Sequence, residues 1–216
     1  MECDEAKSSE GSCGWITFLP KNIHPKDKPL LDISFQAVWS LSSCKSGYGV
    51  DELLSDSVEK YWQSDGPQPH TILLEFQKKT DVAFIMLYLD FKNDESYTPS
   101  KIQVKMGSSH QDIFFRTTQT FNEPQGWNNI DLRDKDLKPN RVFWVQIQVI
   151  QNHQNGRDTH IRHVRIVGPE RSRVTVTNRI FTGEPHGKLP KHNLVDSDDD
   201  DFARFVDQSL VHLSLR

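Results

Sequence analysis

Cysteine is scarce in this sequence: Cys3, Cys13 and Cys44 are the three among 216 residues. An odd number with no CxxC spacing excludes a closed disulfide framework and a cysteine-based zinc ribbon, and it suits a reducing compartment. No Asn-x-Ser/Thr acceptor occurs, and the first thirty residues lack the basic-then-apolar order of a secretory leader. The longest apolar run, Val82 to Leu89, falls far short of the ~20 residues that a membrane-spanning helix needs. Charge of one sign is missing too. With 26 basic and 30 acidic residues mixed along the chain, the formal net charge is −4, which supplies no broad cationic field for a nucleic-acid backbone. GxSxG, HExxH and phosphate-loop motifs are absent, and Gly47-Tyr48-Gly49 is followed by Glu52 where a dinucleotide fingerprint needs its third glycine. The expectation is a soluble protein of nucleus and cytoplasm with no membrane or nucleic-acid partner, no metal, no cofactor and no catalytic residue.

Aromatic bulk, by contrast, is present. Apolar residues make up 35% of the chain, with twelve Phe and five Trp, enough for one packed domain without surplus for a second core. In Ile102, Val104 and Met106 the apolar side chains alternate with Gln103 and Lys105, and Val145, Ile147 and Val149 repeat the device against Gln146 and Gln148. Such a period of two describes strands with one dry and one wet face. Further strands are expected at Thr71 to Phe76, Val82 to Phe91, Ile113 to Thr118, Trp127 to Leu132 and Ile161 to Val167, with the 102–106 and 145–149 segments lying inside strands Ile102 to Met106 and Val142 to Ile150. One short helix is expected, Val50 to Tyr61, opened by Asp51 and carrying Leu53, Leu54, Val58 and Tyr61. Strand after strand without long amphipathic helices predicts an all-β fold, an antiparallel β-sandwich or jelly roll.

The ends read differently. Residues 1–29 hold three of the eleven prolines around one apolar island, Trp15 to Leu19, and are expected to form a flexible arm. Residues 30–170 form the domain. Residues 171–216, with Pro185, Pro190 and the acidic run Asp196 to Asp201, are expected to be an extension of doubtful order.

Two polar clusters interrupt the strands. Asn152-His153-Gln154-Asn155-Gly156-Arg157-Asp158-Thr159-His160 joins two apolar runs where the favoured type I′ pair Asn155-Gly156 would suffice for a turn. Its amides, imidazoles, guanidinium and carboxylate can hydrogen-bond an extended peptide; equally, they can satisfy the amides of a long hairpin. Asn93 to Ser100 is the second cluster, in which Ser96 offers a hydroxyl and Tyr97 a flat amphipathic ring, and a plain surface turn is again the alternative. His153, His160 and His163 with Asp158 could be imagined as metal ligands, but HxxH without a cysteine pair matches no usual zinc spacing.

Four strings stand in one order: Ala37 to Leu54 (AVWSLSSCKSGYGVDELL), Val58 to Phe76 (VEKYWQSDGPQPHTILLEF), Asp94 to Ile102 (DESYTPSKI) and Asn152 to Ile166 (NHQNGRDTHIRHVRI). Together they resemble the DOC domain, in particular the DOC-domain subunits of the anaphase-promoting complex, or cyclosome, over about Leu30 to Pro169. The resemblance implies a jelly roll of the galactose-binding-like type and a non-catalytic subunit of a ubiquitin ligase acting in mitotic cell-cycle control. It implies a co-receptor, shared with a WD40-repeat activator, for the destruction box of substrates such as cyclins, raising processivity. The contacts it implies are Ser96, Tyr97, Asn152, His153, Asn155, Arg157, Asp158 and His160, foremost Ser96 and Asn155. The family commonly ends in Ile-Arg, which docks on a tetratricopeptide-repeat subunit; here the corresponding residues are Leu215 and Arg216. A carbohydrate-binding jelly roll and a DOC domain of another ubiquitin ligase are the alternatives.

Overall fold

The computed structural model describes residues 14–20 and 29–170. One sheet has four strands in the order β1 (Leu30–Asp32), β11 (His163–Pro169), β5 (Phe84–Asp90) and β8 (Gln125–Asp131). The other has five, β2 (Ala37–Leu41), β4 (His70–Val82), β9 (Asn140–Asn152), β6 (Pro99–Gly107) and β7 (Ile113–Thr120), and a short ribbon pairs β3 (Trp62–Gln63) with β10 (His160–Ile161). Every pairing is antiparallel. The period-two segments do what their alternation predicts: Ile102, Val104 and Met106 on β6 and Val145, Ile147 and Val149 on β9 all face the core between the sheets.

Strand β5 has no wet face. Ile85, Leu87 and Leu89 enter the main core, while Phe84 and Met86 enter a second cluster with Trp15, Trp127 and Val167 on the opposite side. A strand covered on both sides must be apolar throughout, which is why this run does not alternate. The cover comes from the expected arm. Gly14–Phe18 is a 3-10 helix whose Trp15 is only 6% exposed, and the Phe18 carbonyl accepts a hydrogen bond from Asn129 Nδ2 at 2.7 Å. The apolar island is thus part of the packed domain rather than of a loose arm, because an indole buries more apolar area than any other side chain and β5 offers the surface to receive it. Residues 1–13 and 21–28, the extension 171–216, its acidic run and Leu215-Arg216 lie outside the described residues.

The expected helix is shorter than its pattern suggests. Only Val50–Leu53 (α1) is helical. Beyond it Ser55 and Ser57 turn their hydroxyls onto the backbone amides of Ser57 and Glu59 at 3.3 and 3.4 Å, offering the chain an alternative to the helical ladder, and the Val58 carbonyl is taken by Arg162 Nη1 at 3.0 Å. Two expected strands are divided. Val82 ends β4, and the chain crosses to the other sheet through Ala83 before β5 starts. Arg162 separates β10 from β11 because its side chain turns inward. Strands β1, β2 and β3 were not foreseen individually.

Candidate functional site

Topology brings the two polar clusters together. Strands β6 and β9 are neighbours, with Pro99 opposite Asn152, so the segment entering β6 and the segment leaving β9 emerge at the same end of the sheet. The first begins with α2 (Phe91–Asp94), capped by Asp90 Oδ1 accepting from the Asn93 amide, and continues as a 3-10 turn over Glu95–Tyr97. Glu95 has φ 45° and ψ −114°, a strained conformation for a residue with a side chain. The second turns at His153–Asn155, where Gln154 and Asn155 take φ 51° and 57° and the Gly156 amide donates to the His153 carbonyl at 2.9 Å. The left-handed pair is therefore Gln154-Asn155 and not Asn155-Gly156. Gly156 is needed for a different reason: a Cβ there would stand 1.8 Å from the Ser96 carbonyl oxygen, so the two loops touch backbone to backbone.

Around that contact the sequence-predicted residues divide into two groups. Asn152 is buried and its Nδ2 donates to the carbonyls of Gly156 and Asp158 at 3.2 and 2.8 Å. The His153 amide donates to the Thr98 carbonyl at 2.9 Å, and the Glu123 amide donates to His153 Nε2 at 3.2 Å. The ring proton is therefore assigned to Nδ1, which donates to the Thr98 carbonyl at 3.0 Å. His160 lies between the rings of Tyr61 and Tyr97, centroids 4.3 and 4.2 Å away, with Nδ1 3.2 Å from Asp94 Oδ1. Asp158 is half-buried and its Oδ1 is enclosed without a hydrogen-bond partner among the described residues. Asn152, His153 and His160, expected as contacts, brace the loops, because irregular backbone lacks ladder partners and nearby polar side chains must satisfy it. Ser96, Tyr97, Asn155 and Arg157 make up the other group. Tyr97 is 40% exposed, Asn155 and Arg157 are exposed and Ser96 half-buried.

Several residues the sequence did not single out hold this end rigid. Arg162, itself buried, places Nε and Nη2 each 2.8 Å from the two oxygens of buried Asp94, a two-pronged charge-assisted pair. Burial pushes the Asp94 carboxyl up, but the hydrogen bonds from His160 and Arg162 outweigh it and hold the group below the usual carboxylate range. Thr159 Oγ1 donates to the Tyr97 carbonyl at 3.2 Å, and Gln68 Nε2 donates to the carbonyls of Gly156 and Arg157, each at 3.0 Å. One signal was readable: Arg162 falls within the expected strand Ile161 to Val167, and a charge that the fold buries requires a counterion. The HxxH spacing does not converge. His160 faces Asp94, whereas His163 packs edge-on to Trp127 at 5.3 Å, and among the described residues no three His, Cys, Asp or Glu side chains gather as metal ligands.

The sequence model of one family, described as "Anaphase-promoting complex, subunit 10 (APC10)", matches residues 6–191. The chain belongs to the APC10 family. Anaphase-promoting complex subunit 10 of Homo sapiens is 51% identical over 138 residues, 64% of this chain and 75% of the relative. Its counterpart in Caenorhabditis elegans is 40% identical over 183 residues, 85% of this chain and 82% of the relative. The subunit DOC1 of Saccharomyces cerevisiae is 32% identical over 142 residues, 65% of this chain and 57% of the relative. Among solved structures, the family 32 carbohydrate-binding module of Clostridium perfringens NanJ in complex with galactose superposes with TM-score 0.54 at 11% identity, covering 64% of this chain and 99% of that one. The module CpGH89CBM32-5 of the same organism gives 0.51 at 8% identity, covering 62% and 96%. At those identities the likeness concerns the fold, a galactose-binding-like jelly roll, and the APC10 family is thus built on the all-β sandwich that the strand pattern predicts.

Proposed function

We propose that this chain acts as a non-catalytic substrate co-receptor of the anaphase-promoting complex, holding the destruction box of mitotic substrates such as cyclins together with a WD40-repeat activator. What carries the proposal is the meeting of two loops, far apart in sequence, at one end of the sandwich, with Tyr97, Asn155 and Arg157 exposed and Ser96 half-buried beside them. Among the described residues the Ser96 hydroxyl and the Asn155 and Arg157 side chains have no hydrogen-bond partner, so they are free to pair with the polar half of an extended peptide. An aromatic face and adaptable hydrogen-bonding groups on a braced support are the composition of a recognition surface. No bond is made or broken by the subunit. Two weak sites on neighbouring proteins hold one peptide through effective concentration, by a factor on the order of 10² or more when the geometry permits simultaneous contact. Slower release then lengthens ubiquitin chains per encounter. Leu215 and Arg216 would anchor the subunit to a tetratricopeptide-repeat neighbour, the aliphatic side chain in a pocket and the guanidinium in charge-assisted bonds. Such a subunit works in nucleus and cytoplasm.

The test is a reconstituted ligase carrying Ser96→Ala with Asn155→Ala. Assembly should be retained while ubiquitin chains on a destruction-box substrate shorten; unchanged processivity would overturn the site.

A further inference from the structure

The loop 121–124 also lies at the end of the sandwich that carries the two clusters. Strand β7 reaches Thr120 opposite Lys101 at the start of β6, the Phe121 amide donates to the Ser100 carbonyl at 2.8 Å, and β8 begins at Gln125 opposite Asp90. On one side this loop meets the crest, through the Glu123 amide on His153 Nε2. On its other side is an open groove of about 380 Å³, with Phe18, Phe121, Trp127, Asn122, Asn128 and Asn129 among its lining. Among the described residues, the nine that line it carry no charge. The Nδ2 groups of Asn128 and Asn129 are held by the carbonyls of Gly126 and Phe18 at 2.9 and 2.7 Å, which fixes both side chains and leaves their oxygens to accept. Phe18, 48% exposed, forms an apolar wall.

A mainly polar lining, with amide groups set beside the apolar wall of Phe18, suits polypeptide in extended form, whose own N–H and C=O groups pair with the amides. A groove without charge gives an acidic or basic occupant nothing to offset its desolvation. Resting on the co-receptor reading above, we propose that this groove receives the uncharged, extended stretch of substrate that follows the destruction box, so that the substrate path runs from Ser96 and Asn155 over Glu123 to Asn129. The subunit then selects substrates by the composition of the flanking segment as well as by the recognition element itself.

The experiment uses the reconstituted ligase with its activator and two labelled peptides, one confined to the destruction box and one extended beyond its C-terminal end by an uncharged sequence. The extended peptide should bind about three- to tenfold more tightly, the scale of one or two net hydrogen bonds. Gln119→Glu with Asn122→Asp, two exposed positions in the groove, should abolish that gain and leave the short peptide unaffected; an extension rich in Asp and Glu should bring no gain to the unaltered protein. Equal binding of the two peptides overturns the groove while leaving the crest standing. Failure of the short peptide to depend on Ser96 and Asn155 overturns the co-receptor reading, and the groove with it.

Discussion

The loop 152–160 contains two kinds of polar residue that no composition rule separates. Asn152 and Asn155 have the same side chain three positions apart, yet Asn152 is buried and ties two carbonyls, whereas Asn155 is exposed at the tip of the turn. His160 and His163 differ in another way, one placed on a carboxylate and the other against an indole, with neither exposed. A recognition loop built on irregular backbone needs both kinds. Side chains that satisfy the loop's own carbonyls hold its shape, and only the remainder can face a partner.

That division can be broken at several points. The largest effect is expected from Asp94→Ala, which leaves the buried Arg162 guanidinium unpaired and frees His160: about 3–5 kcal/mol of stability should be lost in denaturant titration, with peptide binding falling in parallel as Tyr97 loses its stacked neighbour. A loss under about 1 kcal/mol would mean that the pair does not brace this end.

Acid probes His163. Burial, with Arg165 adding to it and the Ser55 backbone opposing, pushes His163 down from 6.5 to about 4. The unfolded chain therefore binds a proton that the folded chain refuses between those values. Stability from this group is complete above about pH 6.5 and declines as pH falls toward 4, by about 3 kcal/mol in all. Replacement by Gln should flatten that part of the pH–stability profile, and an unchanged slope would assign it elsewhere.

Gly156→Ala should cost about 1–3 kcal/mol, because the new methyl group collides with the Ser96 backbone. Its more informative consequence is separation of the loops, read as lost destruction-box binding in a chain that still unfolds cooperatively. The smallest effect on stability belongs to Ser96→Ala with Asn155→Ala, at most about 2 kcal/mol, chiefly from placing Ala in the left-handed conformation at φ 57°. If the outward group is what contacts substrate, this variant has the mildest unfolding profile and the clearest loss of processivity.

Sequence patterns carried much of this structure, unevenly. Segments with one wet face announced themselves by alternation, as Ile102 to Met106 did, because period two has no competing explanation there. Val50 to Tyr61 imitated a helix because spacing of apolar residues records which side chains are buried and not how the backbone between them travels; the serine hydroxyls and Arg162 decided the latter. Trp15 was hidden by polar surroundings. Its burial depends on the outer face of β5, seventy residues away, a contact no local window contains. The two polar clusters proposed as the site were legible as clusters, since long polar loops between apolar strands are unusual for simple turns. Which of their residues face outward was not, because that depends on which carbonyls the fold leaves without ladder partners.

By itself, then, the sequence determined the antiparallel all-β class, the family, and the two polar segments proposed for recognition, because hydrophobic period and long shared strings are properties of the chain in one dimension. Tertiary structure alone decided that those segments touch, that Asp94 and Arg162 lock them, and that Asn155 rather than Asn152 faces outward. Each of these follows from the adjacency of β6 and β9, which places Ser96 against Gly156 across sixty residues of chain.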